Sequence, residues 1–428
     1  MTYPETLDYL FSQIPVYQME GASAYKPGFK NILYLSEWCN NPHRKYPSIH
    51  IGGTNGKGSV SHLTASILQE CGYKVGLYTS PHLKDFRERI RVNGIPITEE
   101  RVISFIDKFK SDISKEISPS FFELTTELAF CWFAESNVDV AVIEVGLGGR
   151  LDSTNIIQPV VSVITNISMD HIALLGDTPE KIAYEKAGII KKNTPLIIGH
   201  AEGSVKSIFE NRAEKLSAPI HFAENEFKIE NQYINNIHQL KVCKGSIKDY
   251  RPISCPLGGI YQKENAGTVL TLIENLRKKG FKIIEDSVYK GFINVIKNTG
   301  LRGRWETLSE NPKIICDTGH NVGGFKYIAE QLKCTPHCTL HIVFGMVNDK
   351  DTDGVLKLLP KDAIYYFTKV QSSRSLDEKI LLELAKKNGL QGKTYPTVDL
   401  AMDAAKKNYH PNDLIFVGGS NFIVAEVI

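Results

Sequence analysis

The run His50-Ile51-Gly52-Gly53-Thr54-Asn55-Gly56-Lys57-Gly58-Ser59 decides the reading of this chain. An apolar, strand-like segment breaks there into a glycine-rich loop carrying one lysine and hydroxyls. Glycines let successive backbone N–H groups converge on a phosphate, a lysine adds a point charge, and a following helix offers its positive end. The stretch therefore reads as a nucleotide phosphate cradle. It departs from the strict GxxxxGK[ST] pattern, because Ile51 stands six residues before Lys57 and Gly58 intervenes before Ser59. That spacing argues against a common GTPase. On the motif alone, a glycine turn without a ligand is the competing reading.

Outward from the loop, Lys57 to about Cys71 reads as a helix and Lys74–Tyr78 as the next strand. Strand, glycine loop, helix and strand open a parallel α/β sheet. Ser80 leaves that strand at its carboxyl end, where open α/β sheets bind ligands, so its hydroxyl is placed for a metal or phosphate. Asp139–Val145 is a nearly continuous apolar run containing Glu144. An unpaired buried carboxylate is costly, so Glu144 should meet a cation. Magnesium beside nucleotide phosphates suits it, and a paired structural glutamate is the alternative. Val160–Thr165 is a further strand, and His171 beyond it is expected in the same crevice as Glu144.

Helical spacing is also present over Thr6–Ile14, Asn31–Trp38, Glu99–Lys115, Glu123–Ala134 and Pro179–Gly188, and from Gly259 to about Leu276. Alternation from Pro219 to about Ile253 suggests a small antiparallel sheet. Past the polar, glycine-containing Lys297–Gly300, strands at Lys313–Cys316, Leu340–Phe344, Ala363–Phe367 and Asp413–Val417 interleave with helices such as Leu376–Lys387. The expected domains are therefore 1–297 and 298–428, with polar strand ends facing a shared cleft.

A chain of 428 residues exceeds what one core usually supports, in keeping with two domains. Lys and Arg number 50 against 48 Asp and Glu, which argues against broad nucleic-acid binding. The start lacks a basic segment followed by an apolar one, and no apolar run approaches the roughly 20 residues of a membrane span. A cytoplasmic protein without a membrane partner is expected. The eight cysteines are scattered and read mostly as reduced, buried small hydrophobes. Cys334-Thr335-Pro336-His337-Cys338 has no second ligand pair of matching spacing, so it is not taken as a metal clip.

Five motifs in order carry a resemblance across almost the whole chain: Gly53–Ser59, Ser80-Pro81-His82-Leu83 with Glu88-Arg89-Ile90, Glu144–Asp152, Asp170-His171 with Leu175-Gly176, and Glu185-Lys186-Ala187-Gly188-Ile189. Together they resemble the folylpolyglutamate synthases and dihydrofolate synthases of the Mur ligase superfamily. The resemblance implies a P-loop ATPase-type parallel-sheet domain with a small antiparallel sheet, and a smaller Rossmann-like α/β domain after it. It implies an ATP-dependent amide ligase of folate biosynthesis, joining L-glutamate to dihydropteroate, to folates, or to both. No protein nucleophile is needed, and no convincing Ser/His/Asp or Cys/His signature is present.

By the same resemblance, Thr54, Asn55, Gly56, Lys57, Gly58 and Ser59 hold the ATP phosphates, with Asn265, Arg304 and Asp317 reaching ATP from across the domain junction. Ser80, Glu144 and His171 are the implied magnesium ligands. Lys186 is the implied carboxylated lysine, and His320 lies near the chemistry. The pterin-bearing substrate is expected at Lys26, Pro27 and Gly28, at Ser120, Phe121, Phe122 and Glu123, and at Leu151, Asp152 and Ser153. Ser420 and His320 are candidates for glutamate, and the protein is expected to be a monomer. Three positions depart from the family pattern. Tyr261 replaces the usual histidine before Gln262, Arg302 stands where proline commonly precedes Gly303-Arg304, and Thr318-Gly319 replaces a pair of smaller residues. A muramyl-peptide ligase would need a domain ahead of the loop, and only about fifty residues precede Gly53. A non-catalytic ATP-dependent switch is the rival of another class.

Overall fold

The structure is a computed structural model that describes residues 1–13, 28–234, 237–244, 248–249 and 251–428. Ile14, Lys26 and Pro27, each part of an expectation above, lie outside the described residues. The chain divides into two compact units. The first comprises Met1–Ile167, Ile172–Pro256 and Gln262–Leu301, and the second comprises Ser168–His171, Leu257–Tyr261 and Arg302–Ile428. A single cut after Lys297 would leave the two short pieces, Ser168–His171 and Leu257–Tyr261, with the first unit.

In the first unit, strands β1 (Ser48–Gly52), β2 (Val75–Tyr78), β3 (Ile90–Val92), β4 (Ile95–Pro96), β5 (Val140–Glu144), β6 (Val161–Ile164), β7 (Leu196–Ile198) and β8 (Ile220–Phe222) form one sheet in the order β4-β3-β2-β5-β1-β6-β7-β8. Only the β2–β3 and β3–β4 pairings are antiparallel. Ile49, Ile51, Val142, Ile143, Val161 and Val163 are fully buried, as expected of central parallel strands covered on both faces. Helix Phe121–Glu135 packs into an aromatic-rich core with Phe105, Phe109, Phe130 and Phe133, while Ala183, Ile189, Leu196 and Phe209 build a second core.

A separate antiparallel sheet holds β9 (Phe227–Ile234), β10 (Ile237–Lys244), β11 (Lys248–Asp249) and β12 (Ile253–Cys255). It begins later than the alternation suggested, because Ile220–Phe222 pairs in parallel with β7 and closes the large sheet instead. In the second unit, β13 (Glu306–Glu310), β14 (Lys313–Asp317), β15 (Leu340–Phe344), β16 (Ile364–Phe367), β17 (Gln391–Thr394) and β18 (Leu414–Gly418) run β13-β14-β18-β15-β16-β17, parallel except for β13.

Two helix starts differ from the sequence reading by three residues. The first helix covers Tyr3–Asp8 and passes into a π-type turn at Tyr9–Gln13, since Thr2 and Glu5 form a capping box that fixes an earlier start. The helix expected from Gly259 begins at Gln262, because the Gln331 amide draws Gly258 and Ile260 into the second unit: its Nε2 donates to Gly258 O at 2.7 Å, and Ile260 N donates to its Oε1 at 2.8 Å. All eight cysteines are free thiols, but only Cys131, Cys255 and Cys316 are buried, and Cys334 and Cys338 are exposed at and beyond a helix end. Most are therefore not core residues. Among the described residues, no helix is long and apolar enough to cross a membrane.

Candidate active site

Register puts the key loops of the first unit on one sheet edge. Ile51 pairs with Glu144, Gly52 with Ile164, and Tyr78 with Ile143, all in parallel, so the carboxyl ends of β1, β2, β5 and β6 coincide. Gly53–Ser59, Ser80, Glu144 and Thr165-Asn166 leave from that edge. The helix Lys57–Glu70 starts directly from the loop, with Gly56 as its N-cap at φ 86°.

Thr54 N donates to Asn166 O at 2.9 Å and Asn55 N to Asn166 Oδ1 at 3.0 Å. Asn166 Nδ2 and Thr165 Oγ1 both donate to Asn55 O, at 3.1 and 2.6 Å. These bonds fix the loop before any ligand enters. A Cβ at Gly53 would stand 1.9 Å from Thr165 Oγ1, and one at Gly56 2.3 Å from Asn265 Oδ1, so both positions require glycine. Lys57 Nζ donates to Thr54 O at 3.1 Å. Lys186, buried, donates to Gly53 O at 2.8 Å from the end of helix Pro179–Lys186. Two lysine nitrogens thus lie on one loop.

Asn265 was expected to reach ATP from the far side of a domain junction, and it belongs instead to the loop's own unit. One helical turn separates it from Gln262; its Nδ2 donates to Gln262 Oε1 at 2.8 Å, and Gln262 Nε2 donates to Ser59 Oγ at 3.3 Å. Gln262 and Asn166 are thus second supports for the loop that sequence reasoning passed over. The i, i+3 spacing of Gln262 and Asn265 was the available signal.

Glu144 is buried, and its Oε2 accepts the Ser80 N–H at 3.2 Å, since β2 and β5 are neighbours. Arg89, also buried, contributes positive charge near this carboxylate. Burial lowers Arg89 to about 10, which leaves it cationic, and its Nε donates to His82 Nδ1 at 2.7 Å.

Among the expected substrate residues, Gly28 is described, at φ 119°. Ser120 caps helix Phe121–Glu135, and Glu123 Oε2 accepts Ser120 N at 2.7 Å and Ser120 Oγ at 2.9 Å. Phe121 stacks on Phe11 at 5.2 Å under Arg89, and Phe122 covers Gly146. Asp152 accepts Leu147 N at 2.8 Å and Thr154 N at 3.0 Å, closing the turn that holds Leu151 and Ser153. Burial raises the Asp152 carboxyl above its ordinary range.

The second unit gathers His171, His320, Arg304, Asp317 and Ser420. Asp170 gathers the two histidines: Lys350 Nζ lies 2.5 Å from its Oδ1, Asn321 Nδ2 donates to its Oδ2 at 3.0 Å, and His320 Nε2 and His171 Nε2 stand 3.5 and 3.8 Å away. His320 Nδ1 bonds the Thr318 carbonyl at 3.0 Å. Burial opposes the Asp170 charge, yet His171, His320 and Lys350 together hold its carboxyl well below the usual range. His171 has φ 50°, and its Nε2 is 3.3 Å from Lys350 Nζ. Asp317 accepts Trp305 N and Gly319 N at 2.8 Å each and Tyr261 OH at 2.6 Å. Burial raises Asp317 above the ordinary carboxylate range. Arg304 Nη1 bonds Thr318 Oγ1, and Arg302 pairs with Glu306 at 2.5 Å. Ser420 Oγ is occupied as an N-cap, accepting Phe422 N at 3.1 Å.

A family model described as the Mur ligase middle domain matches residues 51–273, and one described as the Mur ligase, glutamate ligase domain matches 303–421. A dihydrofolate synthase/folylpolyglutamate synthase of Bacillus subtilis is 32% identical over 410 residues, covering 94% of each chain. The chain belongs to the folylpolyglutamate synthase/dihydrofolate synthase family. It is by that membership an ATP-dependent ligase of the Mur type.

A "Probable bifunctional folylpolyglutamate synthase/dihydropteroate synthase" of Haloferax volcanii is 32% identical over the whole of this chain, which spans only 50% of that relative's length. Among solved structures, Escherichia coli FolC in complex with DHPP and ADP has a TM-score of 0.85 at 30% identity, covering 100% of this chain and 97% of that one. The Yersinia pestis bifunctional folylpolyglutamate synthase/dihydrofolate synthase complexed with AMPPNP and Mn ion has a TM-score of 0.84 at 26% identity, covering 100% and 97%. The two-unit α/β architecture of this synthase-family chain is that of these structures.

Proposed function

We propose that the chain binds ATP at Gly53–Ser59 and joins L-glutamate in amide linkage to dihydropteroate, to the γ-carboxyl of tetrahydrofolyl-polyglutamate, or to both. The observation that carries this reading is the braced loop with Lys57 and Lys186 turned onto it, on the same sheet edge as Ser80 and Glu144. A carboxylate is a poor electrophile. Its oxygen attacks the γ-phosphorus of ATP, ADP leaves, and an acyl phosphate forms. The glutamate amine then attacks the acyl carbon, loses a proton, and inorganic phosphate departs. Lys57 offsets charge on the transferring group, and the N–H groups of a loop already tied to Asn166 need no reorganisation.

Ser80 and Glu144 offer the oxygen donors that magnesium prefers, and His171 is the third proposed ligand. Magnesium there would neutralise developing phosphoryl charge. We assign carboxylation to Lys186, whose buried nitrogen already lies on Gly53. Intact-protein mass spectrometry in bicarbonate tests for the added carbon dioxide. Arg304 and Asp317 are assigned to the nucleotide, His320 and Ser420 to glutamate, and Gly28, Ser120–Phe122 and Leu151–Ser153 to the pterin, with the Glu123 carboxylate holding Ser120 in place. The reading is completed as a cytoplasmic monomer, which sedimentation of the purified chain would check.

The deciding experiment incubates the chain with ATP, magnesium, glutamate and either dihydropteroate or tetrahydrofolate. Phosphate release with a new glutamyl amide on both acceptors supports the bifunctional reading, and product from the folate alone gives a monofunctional folylpolyglutamate synthase. ATP binding without product leaves a switch and overturns the proposal. Lys57→Ala should abolish coupling, and near-normal turnover in that variant would remove the phosphate cradle. Glu144→Ala should lose magnesium-dependent activity while its circular dichroism is unchanged.

A further inference from the structure

Away from the nucleotide loop, three metal-ligating side chains converge in the aromatic core of the first unit. Cys39 Sγ, Glu127 carboxylate oxygen and Cys131 Sγ all lie within 4.8 Å of one another. Glu127 and Cys131 are four residues apart on helix Phe121–Glu135, so they share a face, with Cys131 Sγ 3.9 Å from Glu127 Oε1. Cys39 arrives from the end of helix Lys30–Trp38. Glu127 is fully buried, and its Oε2 has no hydrogen-bond partner. The Ser36 hydroxyl bonds His43 Nδ1 at 2.8 Å and also lies against the Glu127 carboxyl, as do the Cys39 and Cys131 thiols.

A buried carboxylate oxygen without a partner calls for a ligand, because such groups are nearly always satisfied. Two thiol sulfurs and one carboxylate oxygen are the donors that zinc takes. At zinc–sulfur distances of about 2.3 Å, ligands at tetrahedral corners stand about 3.8 Å apart, so only a small contraction is needed. Lys108 and Arg101 add positive charge near Cys39, which offsets the excess negative charge of two thiolates and a carboxylate around one dication. Cys39 is only partly buried and gives the ion a way in.

We propose that Cys39, Glu127 and Cys131 form a site for a thiophilic divalent cation of the zinc class, with the fourth position left to water. The site ties the end of helix Lys30–Trp38 to helix Phe121–Glu135, on which Ser120 and Glu123 begin. It takes no part in phosphoryl transfer.

The test uses the full chain carrying Cys334→Ser and Cys338→Ser, which removes the exposed thiols. After zinc loading and extensive dialysis, elemental analysis should find one equivalent per chain. Cobalt(II) in place of zinc should give thiolate charge-transfer absorption and strong visible bands of a tetrahedral centre. Cys39→Ser, at a partly exposed position, should lose both signals with unchanged circular dichroism, and Glu127→Gln should weaken cobalt binding at least tenfold. The cobalt spectrum of the parent chain reads the site without relying on any core variant folding. No retained zinc with no tetrahedral spectrum, zinc retained undiminished in Cys39→Ser, or a Cys39–Cys131 disulfide in the freshly purified chain would overturn the proposal.

Discussion

Lys350 Nζ lies 2.5 Å from Asp170 Oδ1, with only 5% and 7% of the two side chains exposed. Asp170 thereby anchors the short Ser168–His171 piece to the second unit, with Asn321 and His320 as further partners. Removing one member of a buried pair leaves an uncompensated charge, at about 3–5 kcal/mol. Lys350→Met should destabilise the second unit by about that amount at neutral pH. Because the folded Asp170 pKa is depressed, its contribution is complete above the ordinary carboxylate value and disappears as pH falls through the depressed one. A double-mutant cycle with Asp170→Asn, read by urea unfolding, checks the coupling. Losses that add to within about 0.5 kcal/mol would mean the pair is not coupled.

Gly56→Ala should cripple ATP use without unfolding the chain. The new methyl would meet Asn265 Oδ1 at 2.3 Å in a backbone at φ 86°, and the loop would have to shift away from Asn265. A residue strained in this way costs on the order of 1–3 kcal/mol, small beside the stability of a large unit. The expected signature is a raised KM for ATP, a near-wild-type melting temperature, and only partial rescue by Asn265→Ala, which relieves the clash but not the φ angle. Full rescue would show that backbone strain contributes nothing.

The parts of this fold that were legible in sequence are those whose signal is local. Strands β1, β5 and β6 are apolar because both faces are covered, and the Gly53–Ser59 turn declares itself by glycines that neighbouring atoms require. Edge strands gave no such signal. β17 is Gln391-Gly392-Lys393-Thr394, polar and half-exposed, and Ile95–Pro96 is two residues long. Pairing across long stretches of chain was also hidden. Asp170 and Lys350 lie 180 residues apart, and nothing near either one announces the other. Asn265 was legible as a nucleotide-loop residue only through the family pattern, and its place in the loop's own unit came from the fold.

Glu123 was expected to touch the pterin, and the structure gives its carboxylate a local task. Oε2 accepts Ser120 N, Ser120 Oγ and, at 3.4 Å, Asn31 Nδ2, with the residue 2% exposed. Glu123→Ala should therefore cost about 1–3 kcal/mol of stability by leaving buried donors unmet. Glu123→Gln, which keeps an acceptor oxygen, should restore most of it with little change in KM for the pterin substrate. A tenfold KM increase in Glu123→Gln with stability intact would instead place the carboxylate on the substrate.

Three histidines of the first unit should make its stability fall between pH 7 and 5; one is His43, which burial lowers to about 4, with Arg44 adding to the effect. His50 and His82 are held neutral, both lowered by burial to about 3, with Lys191 and Arg89 respectively adding to the effect. His82 Nδ1 accepts from Arg89, so it needs its lone pair. His50 Nε2 bonds Thr154 Oγ1 at 2.9 Å, and Thr154 donates onward to Asp152, which leaves the proton on Nε2 and Nδ1 buried without a partner. Unfolded histidine titrates near 6.5, so below that value the unfolded state binds the extra protons and gains. The folded pKa is depressed, so this stability is complete above about pH 6.5 and is lost progressively below it, at about 2 kcal/mol per histidine by pH 5. Unfolding of the first unit followed against pH should show that slope, and His50→Gln should flatten it by about a third. An identical slope in wild type and His50→Gln would mean that His50 already carries its proton in the folded chain.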